Sequence, residues 1–210
     1  MGRYFLGIDL GTSAVKCILV DESGNVKKKP QCGVSSASAA PRLGGAASRG
    51  LVERHCRMYR CAAGQSGRQG TEVAGIGLSG QMHGSVFLDS DLQVIRPALL
   101  WCDQRTASEC EWIEAAVGRD ELGHLTGNRA LTGFTAPKVV WLQRHEPEHA
   151  SRVAHLLLPK DYVRLKLTGE LGMDMATRAA RCCWTWRAGV GPPKWRLSWP
   201  FRWNGCRRSS

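Results

Sequence analysis

An α/β fold is predicted for this chain of 210 residues by three features of its sequence. Two short runs of branched apolar residues flank a small-residue turn near the N-terminus. A third run, Val73–Ser79, ends in a second polar turn. Beyond residue 106, apolar residues recur at helical spacing instead.

The elements follow in order. Tyr4-Phe-Leu-Gly-Ile-Asp9 reads as a short strand and Leu10-Gly-Thr-Ser13 as a tight turn. Val15–Asp21 is a second strand, Glu22-Ser-Gly-Asn25 a hairpin turn with its glycine in place, and Val26 the start of a third strand. Val73–Ser79 is a buried strand that runs into Gly80-Gln-Met-His-Gly84. Ser85–Leu88 and Ala98–Trp101 are further short strands. Segments 4–28 and 73–100 should share one sheet, since their strand patterns need a common core. Thr106–Val117 has helical spacing, with Cys110, Ile113 and Val117 on one face. Pro137–His145 and Lys160–Leu167 are helical too; Pro137 suits a first turn and Gly169 a helix stop.

With 43% hydrophobic residues, the chain has the composition of a folded protein. No apolar run reaches the ~18 residues of a membrane span. Asp9 interrupts what would be a signal peptide's apolar stretch, so a cytoplasmic protein is expected. The net charge of +11 resembles that of a nucleic-acid binder, but its distribution does not. Residues 30–70 hold six Arg and one acid, and residues 179–210 hold six Arg, one Lys and no acid. Those two blocks also contain six of the nine Cys and five of the eight Trp. Neither block shows a helical or strand period, and no CxxC pair supports a zinc site.

The two patterned pieces, 4–28 and 71–178, resemble the FGGY carbohydrate kinases, and within them the xylulokinases. The resemblance rests on Gly7-Ile-Asp-Leu-Gly-Thr-Ser13, Gly75-Ile-Gly-Leu-Ser-Gly-Gln-Met-His-Gly84, Leu100-Trp-Cys-Asp-Gln-Arg-Thr106, Gly127–Leu142 and Leu158-Pro-Lys-Asp-Tyr-Val163. It implies an incomplete actin-like, ribonuclease-H-like ATPase domain over residues 1–178. It also implies ATP-dependent phosphorylation of D-xylulose at its 5-hydroxyl, with ATP and Mg²⁺ required. A membrane partner is not expected, nucleic acid is disfavoured, and the family leaves a dimer open.

The chemistry of the matched residues suits these roles. Asp9 can hold Mg²⁺ through water, since Mg²⁺ favours one or two carboxylates and keeps its own waters. Gly11 allows backbone approach to a phosphate, Thr12 and Ser13 add hydroxyl donors, and Lys16 adds charge. An isolated turn of this kind would ordinarily be only a hairpin; the accompanying Gln-Met-His-Gly motif favours the functional reading. By resemblance Met82 and His83 contact the sugar, where a methionine packs on the carbon face and a histidine pairs with a hydroxyl. Trp101, Asp103 and Arg105 alternate, so on an extended segment they would point to one side: a ring, an acceptor and a fork of donors. These five residues should converge on one pocket, with Asp103 and Arg105 facing the cavity. Gln81, Asn128 and Lys160 are weaker candidates. His124, His145, His149 and His155 read as helix-surface residues. The family's catalytic Asp lies beyond the matched region, so no residue here inherits the base role. Asp174-Met-Ala-Thr177 stands near a family Thr-Asp-x-Ser-x-Ala-Ser stretch but departs from it.

The two basic blocks have a specific explanation. Reading Arg42–Cys56 with GC-rich codons and a one-base shift gives GWAEQRPEDWWSATV, which resembles what xylulokinases carry there. Shifting Ala180–Trp186 the other way gives GTVLLDV. Both blocks are therefore expected to be translated out of frame, with 30–70 poorly packed and 179–210 a disordered tail. Two rivals stand beside the kinase reading: a sugar-binding remnant without catalysis, and a basic nucleic-acid-binding protein. Basic binding segments interleave Lys with aromatics or line one helix face, and these blocks do neither.

Overall fold

The computed structural model describes residues 3–12, 14–28, 31–33, 45–46 and 72–173. Strands β1 (Tyr4–Leu10) and β2 (Ala14–Asp21) alternate covered and uncovered residues, as strands with one packed face do. They pair antiparallel, from Tyr4 opposite Asp21 to Leu10 opposite Val15. Their connection needs glycine, since a Cβ on Gly11 would lie 2.8 Å from the Ala14 carbonyl oxygen.

At the other end of β2, Asp21 Oδ1 accepts the backbone N–H groups of Ser23 and Asn25, and Gly24 takes a φ of +80°. The chain then returns as β3 (Val26–Lys28). The Lys27 ammonium and the Asn25 N–H hold the Asp21 carboxyl down at about 2, against an ordinary 3.8. A carboxyl depressed by folding stabilises fully above its unfolded value, and that stabilisation fades as pH falls through its folded value. The Asn25 amide resonance should therefore move with a midpoint near 2 in an acid titration. A midpoint close to the ordinary value would contradict the hairpin geometry.

Strand β4 (Gln31–Gly33) pairs antiparallel with β2, and β5 (Gly45–Ala46) lies apart from this sheet. Strand β6 (Val73–Gly80) runs parallel to β1 on its other side, giving the order β3-β2-β1-β6. One face of the sheet carries Leu6, Ile8, Leu10, Val15, Cys17 and Leu19, which pack with Val163. The opposite face carries Phe5, Asp9 and Lys16 into solvent.

The expectation that 73–100 joins this sheet holds for β6 only. β7 (Val86–Leu88) pairs with β9 (His155–Leu157), and β8 (Ala98–Leu99) pairs with β5. Every residue of β7 and β8 is buried, so these runs need cover on both faces rather than a place in a half-covered sheet. The redirection occurs at 81–84, where His83 takes a φ of 66° and Ser85 bridges antiparallel to Leu99.

Five helices complete the described residues: α1 (Ala107–Val117), α2 (Arg119–Thr126), α3 (Thr135–His145), α4 (Pro147–Arg152) and α5 (Pro159–Thr168). α1, α3 and α5 fall where the spacing predicts them. Ile113 is buried with Leu122, Ala136 and Val140, and Cys110 and Val117 pack against this cluster. Gly169 ends α5 in a left-handed conformation. The short helices α2 and α4 carry His124 and His149, which read as helix-surface residues. One histidine expectation needs correction. His155 lies on β9, not on a helix, because its segment is drawn into pairing with Leu88. His145 is exposed on α3, as a helix-surface residue is, and bonds to Glu109, a carboxylate that is only 1% exposed. No helix among the described residues is long and apolar enough to cross a membrane. Apart from β4 and β5, the expectations for 30–70 and 179–210 lie outside the described residues, as does the 174–177 stretch.

Candidate functional site

β1 and β6 are parallel neighbours, so their carboxyl ends share one sheet edge, the usual ligand edge of α/β sheets. Beyond β1 lies the 11–13 turn; beyond β6 lies the 81–84 turn. The Gln81 N–H donates to the Leu10 carbonyl and ties the two together. Asp9 stands opposite Lys16 on β2 and Ser79 on β6, all on the uncovered face. Ser13 lies outside the described residues.

His83 sits in a left-handed conformation that non-glycine residues rarely adopt, a strain of ~1–3 kcal/mol that clusters at functional sites. Two contacts hold it. The Thr135 hydroxyl donates to its carbonyl at 3.3 Å, and its ring lies 4.5 Å from the Phe134 ring, centroid to centroid. Met82 beside it is 47% exposed. Gly84 is pressed against α5: a Cβ there would lie 2.7 Å from Pro159 Cγ. Gln81 Oε1 is buried and has no hydrogen-bond partner among the described residues.

The segment after β8 differs from its sequence-based expectation. Residues 101–106 form turns rather than an extended strand, so Trp101, Asp103 and Arg105 do not share a side. The Asp103 N–H donates to the Leu100 carbonyl, and its carboxylate turns inward to 1% exposure. There Asp103 Oδ1 accepts the Arg105 backbone N–H, and both carboxylate oxygens accept Arg105 Nε at 2.9 and 3.0 Å. The guanidinium carbon lies 4.7 Å from the Trp141 ring centroid. Asp103 and Arg105 thus bond to each other, where the polyol reading expects both to face a cavity. The local turn chemistry prevails: a short Asp side chain bonds its own backbone two residues on.

Trp101 points the other way. It is 46% exposed, and its indole Nε1 donates to Thr12 Oγ1 at 2.7 Å. That bond crosses 89 residues of sequence and joins the segment after β8 to the turn after β1. The segments gather by this bond and by the antiparallel Ser85–Leu99 bridge. Two weaker candidates serve structure here. Asn128 bonds to Thr126 through its backbone N–H and its amide, closing the end of α2. Lys160 Nζ lies 2.7 Å from Asp161 Oδ1.

One residue stands out that sequence reasoning passed over. Lys138 on α3 has no exposed surface, and its Nζ donates to the carbonyls of Thr132, Gly133 and Phe134. Burial pulls its pKa from 10.5 down to about 8, opposed by the nearby Asp103 carboxylate. The signal was a single charge inside the apolar run Ala136-Pro-Lys-Val-Val140.

Parallel strands ending at one edge in a small-residue turn and a polar turn, with α5 covering the core face, form an actin-like α/β arrangement. A solved xyloylose kinase from Brucella ovis superposes on 95% of this chain and 41% of its own, with a TM-score of 0.83 and 34% identity. Residues 4–185 match the N-terminal domain of the FGGY family of carbohydrate kinases, and the chain belongs to that family. It is 41% identical over 175 residues to the xylulose kinase of Escherichia coli K12 and 43% identical over 176 residues to that of Klebsiella pneumoniae. Each alignment covers 83% of this chain, which spans 35% of the length of either relative.

Proposed function

We propose that this chain carries the sugar face and the phosphate turn of an ATP-dependent kinase that converts D-xylulose to D-xylulose 5-phosphate. The observation that supports this best is the Trp101–Thr12 hydrogen bond, which puts the two motif-bearing segments beside each other. In this reading Gly11, Thr12 and Ser13 receive the ATP phosphates, with Lys16 adding charge near them. Met82, His83 and Trp101 meet the sugar. Gln81, whose buried oxygen has no hydrogen-bond partner among the described residues, would join them. Asp103 acts on the sugar through Arg105, whose Nε it occupies on both oxygens.

Asp9 suits a water-mediated Mg²⁺, because it is an exposed carboxylate at the strand end beside the phosphate turn. Bound there, the ion would neutralise charge on the phosphates. Neither Asp9 nor Asp103 is assigned the base role. Cytoplasmic location and dimer formation belong to the same proposal. Calorimetry with D-xylulose tests it: saturable binding by the chain, weakened about tenfold or more in His83→Ala, is the expected result. Equal binding by the variant would remove His83 from the site.

A second reading is favoured by Asp103, whose two carboxylate oxygens are taken by Arg105: sugar binding without catalysis. We further propose that residues 30–70 and 179–210 are read out of frame. Single-base insertions or deletions in the gene around codons 29–71 and 178–180 are expected, and an intact frame across both junctions would contradict this.

A further inference from the structure

We infer that Lys138 is a positioning residue for the sugar face, clamping the 132–134 turn against which the His83 and Trp101–Thr106 segments both rest. The inference rests on the sugar-kinase reading above.

The turn has three consecutive carbonyls pointing at one ammonium. A lysine ammonium has three N–H donors and no acceptor, so donors and acceptors match one for one. Each residue the clamp holds then meets a candidate sugar residue or its segment. Phe134 places its ring against His83. Thr135, next in the chain, donates to the His83 carbonyl and supports its strained conformation. Gly133 lies so close to the Trp101 carbonyl oxygen that a Cβ on it would be 3.1 Å away. The Thr132 carbonyl also accepts the Thr106 hydroxyl, and the Thr132 hydroxyl bonds to Gln104. Lys138 acts on His83 through the turn.

The charge state of Lys138 makes the clamp readable. Deprotonation leaves two N–H groups for three carbonyls, so one carbonyl of the turn loses its Lys138 donor. Lys138 titrates at about 8, within reach of experiment. The groups acting on it are Asp103, Cys110 and Cys102; burial pushes the Cys110 thiol up. The stability effect runs the opposite way. A lysine whose folded pKa is lowered binds fewer protons folded than unfolded between about 8 and 10.5, so this group's contribution to stability rises with pH there. Weaker sugar binding with no loss of folding is the signature of positioning rather than of structural support.

The test is D-xylulose calorimetry on the full chain from neutral pH to well above 8, beside an NMR titration of the Lys138 Cε resonance. Cys102→Ser serves as the background that removes the exposed thiol. The expected result is an affinity that falls severalfold over the range in which Lys138 titrates, while the melting temperature does not fall. Lys138→Met should bind roughly tenfold more weakly, with no step in the pH profile. If that variant does not fold, the wild-type profile decides. Binding that stays flat through the Lys138 titration would overturn the clamp while leaving the sugar reading intact. Absence of D-xylulose binding at every pH would overturn both.

Discussion

Incubated with ATP and D-xylulose, the 210-residue chain should show no sugar-dependent turnover of ATP. Phosphoryl transfer requires a base for the attacking hydroxyl, neutralised charge, and two substrates held in line. A positioned base alone contributes about 10²–10⁴-fold, and alignment contributes more. Among the described carboxylates near the two turns, Asp103 is bonded to Arg105, and Asp9 lies exposed on β1 beside the turn proposed to receive the phosphates. Asp103 cannot take a proton from a sugar hydroxyl while both its oxygens hold Arg105, and Asp9 is proposed to hold Mg²⁺. The loss relative to a complete xylulose kinase should therefore exceed roughly 10⁴-fold. A gene with its frame restored through both basic blocks and onward should recover the activity. Xylulose-dependent turnover by the chain as it stands, abolished in Asp9→Ala, would refute this account.

Asp103→Ala should be the most destabilising single change near the candidate site, costing about 3–5 kcal/mol. The carboxylate is 1% exposed and takes two Arg105 donors, one from the backbone and one from the side chain. Its removal leaves Arg105, whose side chain is 14% exposed, without its anion, and leaves the buried Lys138 ammonium without the nearby opposite charge. Breaking a buried pair on one side costs far more than the pair contributes, because the remaining charge stays desolvated. Asp103→Asn keeps the turn's acceptor and should lose less. Denaturant midpoints at neutral pH measure both. A cost for Asp103→Ala below about 1 kcal/mol would place this pair among exposed salt bridges.

Much of this fold is readable from residue pattern alone. The alternation in Tyr4–Leu10 and Ala14–Asp21 dictates a hairpin with one covered face, and the structure has it. Pro137 lies in the first turn of α3 and Gly169 stops α5, as their preferences require. The failures share a cause: tertiary pairing. Val86–Leu88 and Ala98–Leu99 read as strands, but nothing in their composition says which partner will cover them. Trp101, Asp103 and Arg105 alternate in sequence, yet an Asp two residues before an arginine N–H makes a turn, and alternation then carries no orientation. Lys138 escaped notice because its partners are backbone carbonyls, which have no sequence signature. The turn after β1 and the segment after β8 meet through a Trp101–Thr12 bond that periodicity could not foresee.

The claim at the centre of this account is that the turn after β1 and the segment after β8 form one site. The Trp101 indole N–H, donated to Thr12 and half-exposed at that junction, reports on it directly. Its proton–nitrogen resonance, assigned through Trp101→Phe, should shift saturably on titration with D-xylulose, with the same midpoint as the calorimetric isotherm. A sugar isotherm that saturates while this resonance stays fixed would place the sugar elsewhere and contradict the account.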